Sequence, residues 1–207
     1  MENSPDTVHS ATLVYDIDDK RYINLTNACT LKCRFCPKHN GSWNVKGHEL
    51  ELDFNPRAGD IITELGDLSE VSEVVFCGFG ESTLRLQELL AIAHYVKSKN
   101  KPTRLNTDGL GNLVHKQNIL PLLADCIDAV SISLNAQNET LYEQHCQPSL
   151  PGAYQAVLDF IALAPKFIKE VTVTAIEGLP GVDIAACEMI AHQAGARFRK
   201  RVLDEVG

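Results

Sequence analysis

Short apolar or β-branched runs alternate with longer amphipathic segments along most of the chain. The short runs predict strands at residues 22–26, 73–77, 103–106, 129–134, 171–176 and 197–202. The longer segments predict helices at residues 56–65, 84–98, 119–124, 153–164 and 183–194. Strands that alternate with helices predict right-handed crossovers, and therefore a parallel α/β sheet with helices outside it.

The length of the chain restricts the architecture. A complete barrel of eight strand–helix units needs about 250 residues, whereas this chain has 207 residues. The pattern therefore leaves an open barrel of about six units or a doubly wound sheet. No linker rich in proline or glycine interrupts the pattern, so we expect a lead-in over residues 1–20 and one domain over residues 21–207.

Charge and hydropathy narrow the class of protein. Lys and Arg number 19 against 27 Asp and Glu, which gives a net charge of −8. This balance argues against nonspecific binding to nucleic acid or to an anionic membrane. No apolar run is long enough to span a bilayer, and the polar start lacks the features of a signal peptide. We therefore expect a cytoplasmic protein.

Three of the seven cysteines are clustered directly after the first predicted strand, at Cys29, Cys33 and Cys36. Loops at the carboxyl ends of parallel strands commonly carry function. Closely spaced thiols in a reducing compartment indicate a metal centre. The other four cysteines are dispersed, and we interpret them as small buried residues: Cys77, Cys126, Cys146 and Cys187.

The spacing of these cysteines leaves the metal open. A structural zinc site takes four protein ligands, and His39 is a candidate for the fourth. An iron–sulfur cubane normally takes four cysteines. Three cysteines alone leave one iron open for a ligand that the protein does not supply, as a catalytic centre requires.

Polar residues recur where the next three predicted strands end. The second strand leads into Gly78-Phe-Gly80-Glu81, in which the glycines would allow positive φ and close approach of a ligand. The third ends in Asn106-Thr107-Asp108-Gly109, and the fourth places Ser131, Ser133 and Asn135 on one face. These residues are interpreted either as ligand contacts or as ordinary turn and cap residues.

Arg197, Arg199 and Arg201 alternate along the last predicted strand. Charge that protects an edge strand from further pairing explains this pattern. The alternative is contact with an anionic substrate, because Arg binds carboxylate and phosphate in a bidentate manner.

Together these motifs resemble the radical S-adenosylmethionine (radical SAM) enzymes. The matching residues are Cys29-x3-Cys33-x2-Cys36 with Phe35 before the last cysteine, followed in order by the three strand-end motifs above. More narrowly, residues 43–48, 75–85, 105–110 and 179–183 resemble the small radical SAM proteins associated with the TatD family. Two positions depart from the usual pattern: Ser82 stands where proline is common, and Asp108 stands where asparagine is frequent.

The resemblance implies an open partial TIM barrel of about six units that uses a 4Fe–4S cluster and S-adenosylmethionine. Cys29, Cys33 and Cys36 would hold the cluster. Reductive cleavage of S-adenosylmethionine would yield a 5′-deoxyadenosyl radical that abstracts a hydrogen atom from an unidentified small-molecule or protein substrate. The implied partners are an electron donor such as a flavodoxin or ferredoxin and a TatD-type protein, with no membrane.

The resemblance also assigns roles around the cofactor. Phe35 would lie against the adenine, and the turn of Gly78, Phe79, Gly80 and Glu81 would hold the methionine amino end. The residues that would approach the ribose or the carboxylate are Asn106, Thr107, Ser133 and Asn135.

Two other functions stay open at this point. One is a noncatalytic zinc module, and the other is an activase that generates a radical on a partner protein. Residues 37–52 are expected near the mouth of the barrel, either to recognise the substrate or to shield the metal centre.

Overall fold

A computed structural model describes residues 11–203, and the outer ends of the predicted lead-in and domain, residues 1–10 and 204–207, lie outside the described part. The strands are β1 Val14–Ile17, β2 Lys20–Ile23, β3 Asn44–Val45, β4 His48–Glu49, β5 Glu73–Phe76, β6 Thr103–Thr107, β7 Ala129–Ser133, β8 Glu170–Glu177 and β9 Arg197–Val202. The helices are α1 Ala58–Leu65, α2 Leu86–Ser98, α3 Gly111–His115, α4 Leu120–Ala124, α5 Glu139–Cys146, α6 Ala153–Leu163 and α7 Ile184–Gln193.

The main sheet has seven strands in the order β1-β2-β5-β6-β7-β8-β9. Every neighbouring pair from β2 to β9 is parallel. This arrangement confirms the parallel α/β fold and the open partial barrel, because six parallel strands follow one another in chain order without closing.

Strand β1 differs from the sequence prediction, which placed its residues in the lead-in. It pairs antiparallel with β2 through a tight turn in which Asp18 has φ of 55°. Asp tolerates this left-handed conformation better than most residues. The strand forms by pairing with β2, a contact that its own four residues do not indicate in the sequence.

The sheet has one apolar face and one polar face. The apolar face packs against the helices through buried side chains such as Leu105, Val130, Ile132 and Val173. By register, alternate residues of β6 to β9 share the other face, and they are mostly polar: Arg104, Asn106, Ser131, Ser133, Thr172, Thr174, Arg199 and Arg201. A polar inner face cannot form the usual packed barrel core, so it borders a cavity.

Helix boundaries agree closely with the predicted segments, but two helices of the structure, α3 and α5, were not predicted. Asp183 caps α7 by accepting a hydrogen bond from the backbone of Ala186, and Gly195 follows that helix with φ of 78°. Helix α5 was not predicted, although Asn138 caps it in the same way. Within residues 11–203, none of the helices combines the length and the apolar character needed to cross a bilayer.

Candidate functional site

A cavity of about 610 Å³ lies between the polar face of the sheet and the loops at the carboxyl ends of the parallel strands. This end of a parallel α/β sheet is where ligands usually bind. Every residue predicted to contact the cofactors lines it: Cys29, Cys33, Phe35, Cys36, Gly78, Phe79, Gly80, Glu81, Asn106, Thr107, Ser133 and Asn135. The fold thus brings four distant motifs together, while the role of each residue stays a prediction.

The cysteine loop is docked on the end of α5. The backbone N–H of Arg34 donates to the carbonyl of His145 at 2.9 Å, and that of Lys32 donates to the carbonyl of Cys146 at 3.0 Å. An isolated β-bridge joins Leu31 to Pro148. The loop therefore depends on a helix more than a hundred residues away, and its shape is fixed by backbone contacts rather than by a metal alone.

The three clustered thiols lie in a desolvated environment. Burial raises the pKa of Cys29 to about 12, and it also raises the pKa of Cys36. A hydrogen bond with Cys146 and burial together raise the pKa of Cys33. In the metal-free protein these thiols are therefore protonated at neutral pH, and metal binding must release their protons. Cys126, Cys146 and Cys187 are buried as predicted, although Cys146 also contacts the site, whereas Cys77 is only half-buried and lines the cavity.

The arrangement of ligands does not favour the zinc alternative. His39 is exposed and does not line the cavity. Among residues 11–203, no three His, Cys, Asp or Glu side chains converge as ligands of one metal ion. Zinc requires such convergence, because each Zn–S bond is only about 2.3 Å long.

The glycine turn after β5 packs directly on the cysteine loop. A Cβ atom at Gly80 would lie 2.7 Å from the carbonyl carbon of Thr26 and 2.8 Å from the carbonyl oxygen of Ala28. A Cβ atom at Gly78 would collide with the side chain of Asn24. Neither glycine has a positive φ, so that expectation was wrong. Glycine is needed because no side chain fits between the two loops.

The carboxylate of Glu81 is buried and fully engaged. One oxygen accepts from the backbone and hydroxyl of Thr83 at 3.0 and 2.7 Å and from the hydroxyl of Thr107 at 2.9 Å. The other accepts from the backbone of Asp108 at 2.7 Å. Glu81 therefore ties the turn after β5 to the turn after β6. This geometry favours its backbone, rather than its carboxylate, as the part available to a ligand.

Asp108 lies beside this network and reaches the cysteine loop. Its carboxylate accepts from the hydroxyl of Thr30 at 3.0 Å and from the backbone of Leu110 at 2.9 Å. Burial and the neighbouring charge of Glu81 raise the pKa of Asp108 well above its usual value. This side chain therefore connects the β6 turn to the loop between the first two cysteines.

Lys38 was missed by sequence reasoning, although it lies within the motif region. Its ammonium donates to the carbonyl of Phe79 at 2.7 Å and to the carbonyl of Asn27 at 3.0 Å. The residue joins the cysteine loop to the glycine turn. The contact also means that the glycine turn presents a carbonyl oxygen with the geometry to accept from an ammonium group.

The predicted residues of β6 and β7 reach the cavity from its floor. Asn106 accepts from Arg104 at 3.3 Å, and Ser133 follows on the inner face of β7. Asn135 has φ of 63°, which directs its amide back toward Cys146, where Nδ2 donates to Sγ at 3.7 Å. The Asn135 Oδ1 atom is buried and has no hydrogen-bond partner among residues 11–203. An orphaned acceptor of this kind fits a ligand that carries hydroxyl groups.

Residues 37–52 begin with a turn of 3-10 helix at Pro37–Asn40 and contain a short hairpin at the mouth of the cavity. Its strands β3 and β4 are antiparallel, and Val45 and Leu50 pack in a small cluster with Tyr15. Trp43 contacts Phe79 edge to face at 5.8 Å. The hairpin therefore covers the glycine turn, and Val45 and Leu50 also line the cavity.

Comparison with models of known protein families finds a match over most of the chain. The model of the radical SAM superfamily matches residues 23–194. A comparison of the sequence with curated proteins finds no match.

Solved structures with the same fold extend this comparison. TYW1 with a lysine–pyruvate adduct bound is 13% identical with a TM-score of 0.64, and the alignment covers 91% of this chain and 66% of that one. SuiB from Streptococcus suis bound to S-adenosylmethionine is 17% identical with a TM-score of 0.65, covering 89% and 40%. TsrM from Kitasatospora setae with cobalamin and a [4Fe–4S] cluster is 10% identical with a TM-score of 0.58, covering 84% and 35%. This chain therefore spans less than two thirds of each.

Proposed function

Because this chain belongs to the radical SAM superfamily, we propose that it is an enzyme that binds a 4Fe–4S cluster and S-adenosylmethionine in the cavity described above. When bound, these groups supply the electron and the 5′-deoxyadenosyl radical that removes a hydrogen atom from a substrate. The observation that carries the proposal is the convergence of the cysteine loop, the glycine turn and the polar ends of β6 and β7 on one cavity.

Cys29, Cys33 and Cys36 are the proposed cluster ligands. They share one loop whose backbone is bonded to α5 and to the glycine turn, which supports the proposal because the loop keeps its shape without a metal. Since only three cysteines lie in that loop, one iron stays open to a ligand from outside the protein. The amino and carboxylate groups of S-adenosylmethionine suit this position.

The glycine turn is the proposed site for the methionine amino end. The contact between Lys38 and the Phe79 carbonyl supports this, because it is already a bond from an ammonium to the turn. Glu81 acts indirectly by fixing the turn through its four hydrogen bonds. Phe35 lines the cavity next to the last cysteine, where an adenine ring needs an apolar surface.

The residues of β6 and β7 are proposed to hold the rest of the cofactor. The orphaned Oδ1 of Asn135 and the hydroxyl of Ser133 suit the ribose hydroxyls. Asn106 and Thr107 border the same region. The hairpin within residues 37–52 is proposed to shield the glycine turn from water, as a reactive radical requires.

The partners and the location are proposals as well. An electron donor such as a flavodoxin or ferredoxin is needed to reduce the cluster, and the substrate is a small molecule or a protein. A cytoplasmic location suits both the donor and the reduced thiols. The functional link to a TatD-type protein stays a prediction that rests only on the sequence resemblance.

Anaerobic reconstitution tests the proposal. We expect about four irons and four sulfides per chain and formation of 5′-deoxyadenosine after reduction in the presence of S-adenosylmethionine. Cys36→Ala should lose both the iron and the product, whereas His39→Ala should keep both. Zinc without iron or sulfide in the purified protein, lost in His39→Ala, would instead identify the zinc module.

A further inference from the structure

The cavity carries an excess of positive charge, although the whole chain has a net charge of −8. The cations that line it are Lys20, Lys46, Arg104, Arg199 and Arg201, against the acids Asp18, Glu81 and Asp108. A basic cavity in an acidic protein attracts anions locally and is unlike the rest of the surface. The proposed cofactor contacts do not use these arginines.

Several of these charges are balanced by neighbouring side chains. Lys20 and Arg104 both contact the carboxylate of Glu73, at 3.1 and 3.0 Å. Glu81 and Asp108 are engaged by the hydrogen bonds described above. The charges of these four side chains are therefore taken up by contacts within the protein.

Of the cavity arginines, Arg199 and Arg201 remain. Protection of the sheet edge explains the other charged residues of β9 beside them. Arg197 forms an ion pair with Glu170, and Lys200 pairs with Glu177 at 2.9 Å, so each contacts the adjacent strand β8. Across residues 11–203, Arg199 and Arg201 form no such ion pair. The edge interpretation of the arginine pattern therefore fits Arg197 and leaves Arg199 and Arg201 unexplained.

Arg201 is the more deeply placed of the two. Its Nε atom is buried, and no acceptor in the described part of the chain bonds to it, while Arg199 is exposed along the same wall of the cavity. A desolvated guanidinium nitrogen without an acceptor is costly, and an oxyanion placed against both arginines removes that cost. Thr174, which pairs in register with Arg199, adds a hydroxyl to the same wall.

We propose that Arg199 and Arg201 bind an anionic group of the substrate, a carboxylate or a phosphate, in the cavity beside the cofactor. This inference rests on the proposed function, because it takes the cavity to hold the substrate together with S-adenosylmethionine. The competing assignment is that the same arginines hold the carboxylate of S-adenosylmethionine itself. The two assignments differ in whether added anions compete with the cofactor.

Calorimetric titration of the cluster-loaded protein with S-adenosylmethionine bound tests the assignment, with inorganic phosphate and acetate as separate probes. We expect phosphate or acetate to bind wild type, and Arg199→Met with Arg201→Met to weaken binding by about tenfold or more. Tighter phosphate indicates a phosphate ester, and tighter acetate indicates a carboxylate. Lys200→Met, on the opposite face of β9, is the matched control and should bind as wild type.

The affinity for S-adenosylmethionine shows whether the two arginines bind the substrate or the carboxylate of the cofactor. It should be unchanged in the arginine variants and insensitive to added phosphate. Lost cofactor affinity, competition by phosphate, or anion binding unchanged in the double variant would each overturn the inference. Arg199→Met alone preserves the test if Arg201 variants fail to fold, because Arg199 is exposed. A wild type that binds phosphate through these arginines but never cleaves S-adenosylmethionine refutes the proposed function, not this assignment.

Discussion

Replacing Gly80 with alanine tests the close contact on which the geometry of the site depends. The added Cβ atom would meet backbone atoms of Thr26 and Ala28 at less than van der Waals distance, and backbone cannot rotate away as a flexible side chain can. Overpacking costs about 1–3 kcal/mol, and displacement of the turn also breaks the 2.8 Å hydrogen bond from Glu81 to Ala28, worth about 1 kcal/mol. We expect the free energy of unfolding to fall by about 2–4 kcal/mol.

Urea unfolding followed by circular dichroism measures this effect, with Gly59→Ala as the matched control. Gly59 is in α1, and no atom of residues 11–203 outside its own helix lies within 4 Å of a Cβ atom at that position. That variant should therefore gain about 0.5–1 kcal/mol from the better helix propensity of alanine. Affinity for S-adenosylmethionine should fall in the Gly80 variant alone. Unchanged stability and unchanged affinity in Gly80→Ala would refute the close packing of the two loops.

Three further substitutions test other contacts. Glu81→Gln places an amide NH2 group against the N–H and O–H groups that now donate to the Glu81 carboxylate. This change should lower the free energy of unfolding, measured in urea, by about 1–3 kcal/mol. Lys38→Met removes the bond to the Phe79 carbonyl, so iron should be lost faster to a chelator than from wild type. Burial raises the pKa of Asp128, but the bonds from Lys97 and the local backbone outweigh it and lower the pKa. Asp128 therefore stabilises the protein above about pH 4, and this stabilisation is lost as pH falls through the lowered pKa. The loss in the free energy of unfolding that Asp128→Asn causes should therefore become smaller in acid.

Most of the parallel strands were predictable because they are short apolar or β-branched runs between amphipathic segments, whereas β9 is marked by alternation of its arginines. Strands β5 to β9 begin where the pattern places them, within one or two residues. Strand β1 was not predictable, since its four residues gain their conformation from pairing with β2. Helix α5 was missed because it is short and largely polar, although Asn138 marks its start.

The residues of the site were predictable as a set because motifs that follow strands must meet at one edge of a parallel sheet. The contacts between them were not predictable from sequence. Lys38 and Cys146 join the site through distances that only the folded chain defines. The different surroundings of the three arginines were not predictable either. Arg197 pairs with Glu170, whereas Arg199 and Arg201 line the cavity.

The yield of 5′-deoxyadenosine tests the central claim most directly. Cluster-loaded protein, reduced under anaerobic conditions with S-adenosylmethionine, should form this product. Cys33→Ala should not form it, whereas Cys126→Ala, which removes a buried thiol outside the cavity, should retain it. A reduced, cluster-loaded wild type that forms no 5′-deoxyadenosine, even with cell extract added as a source of substrate, would contradict the account.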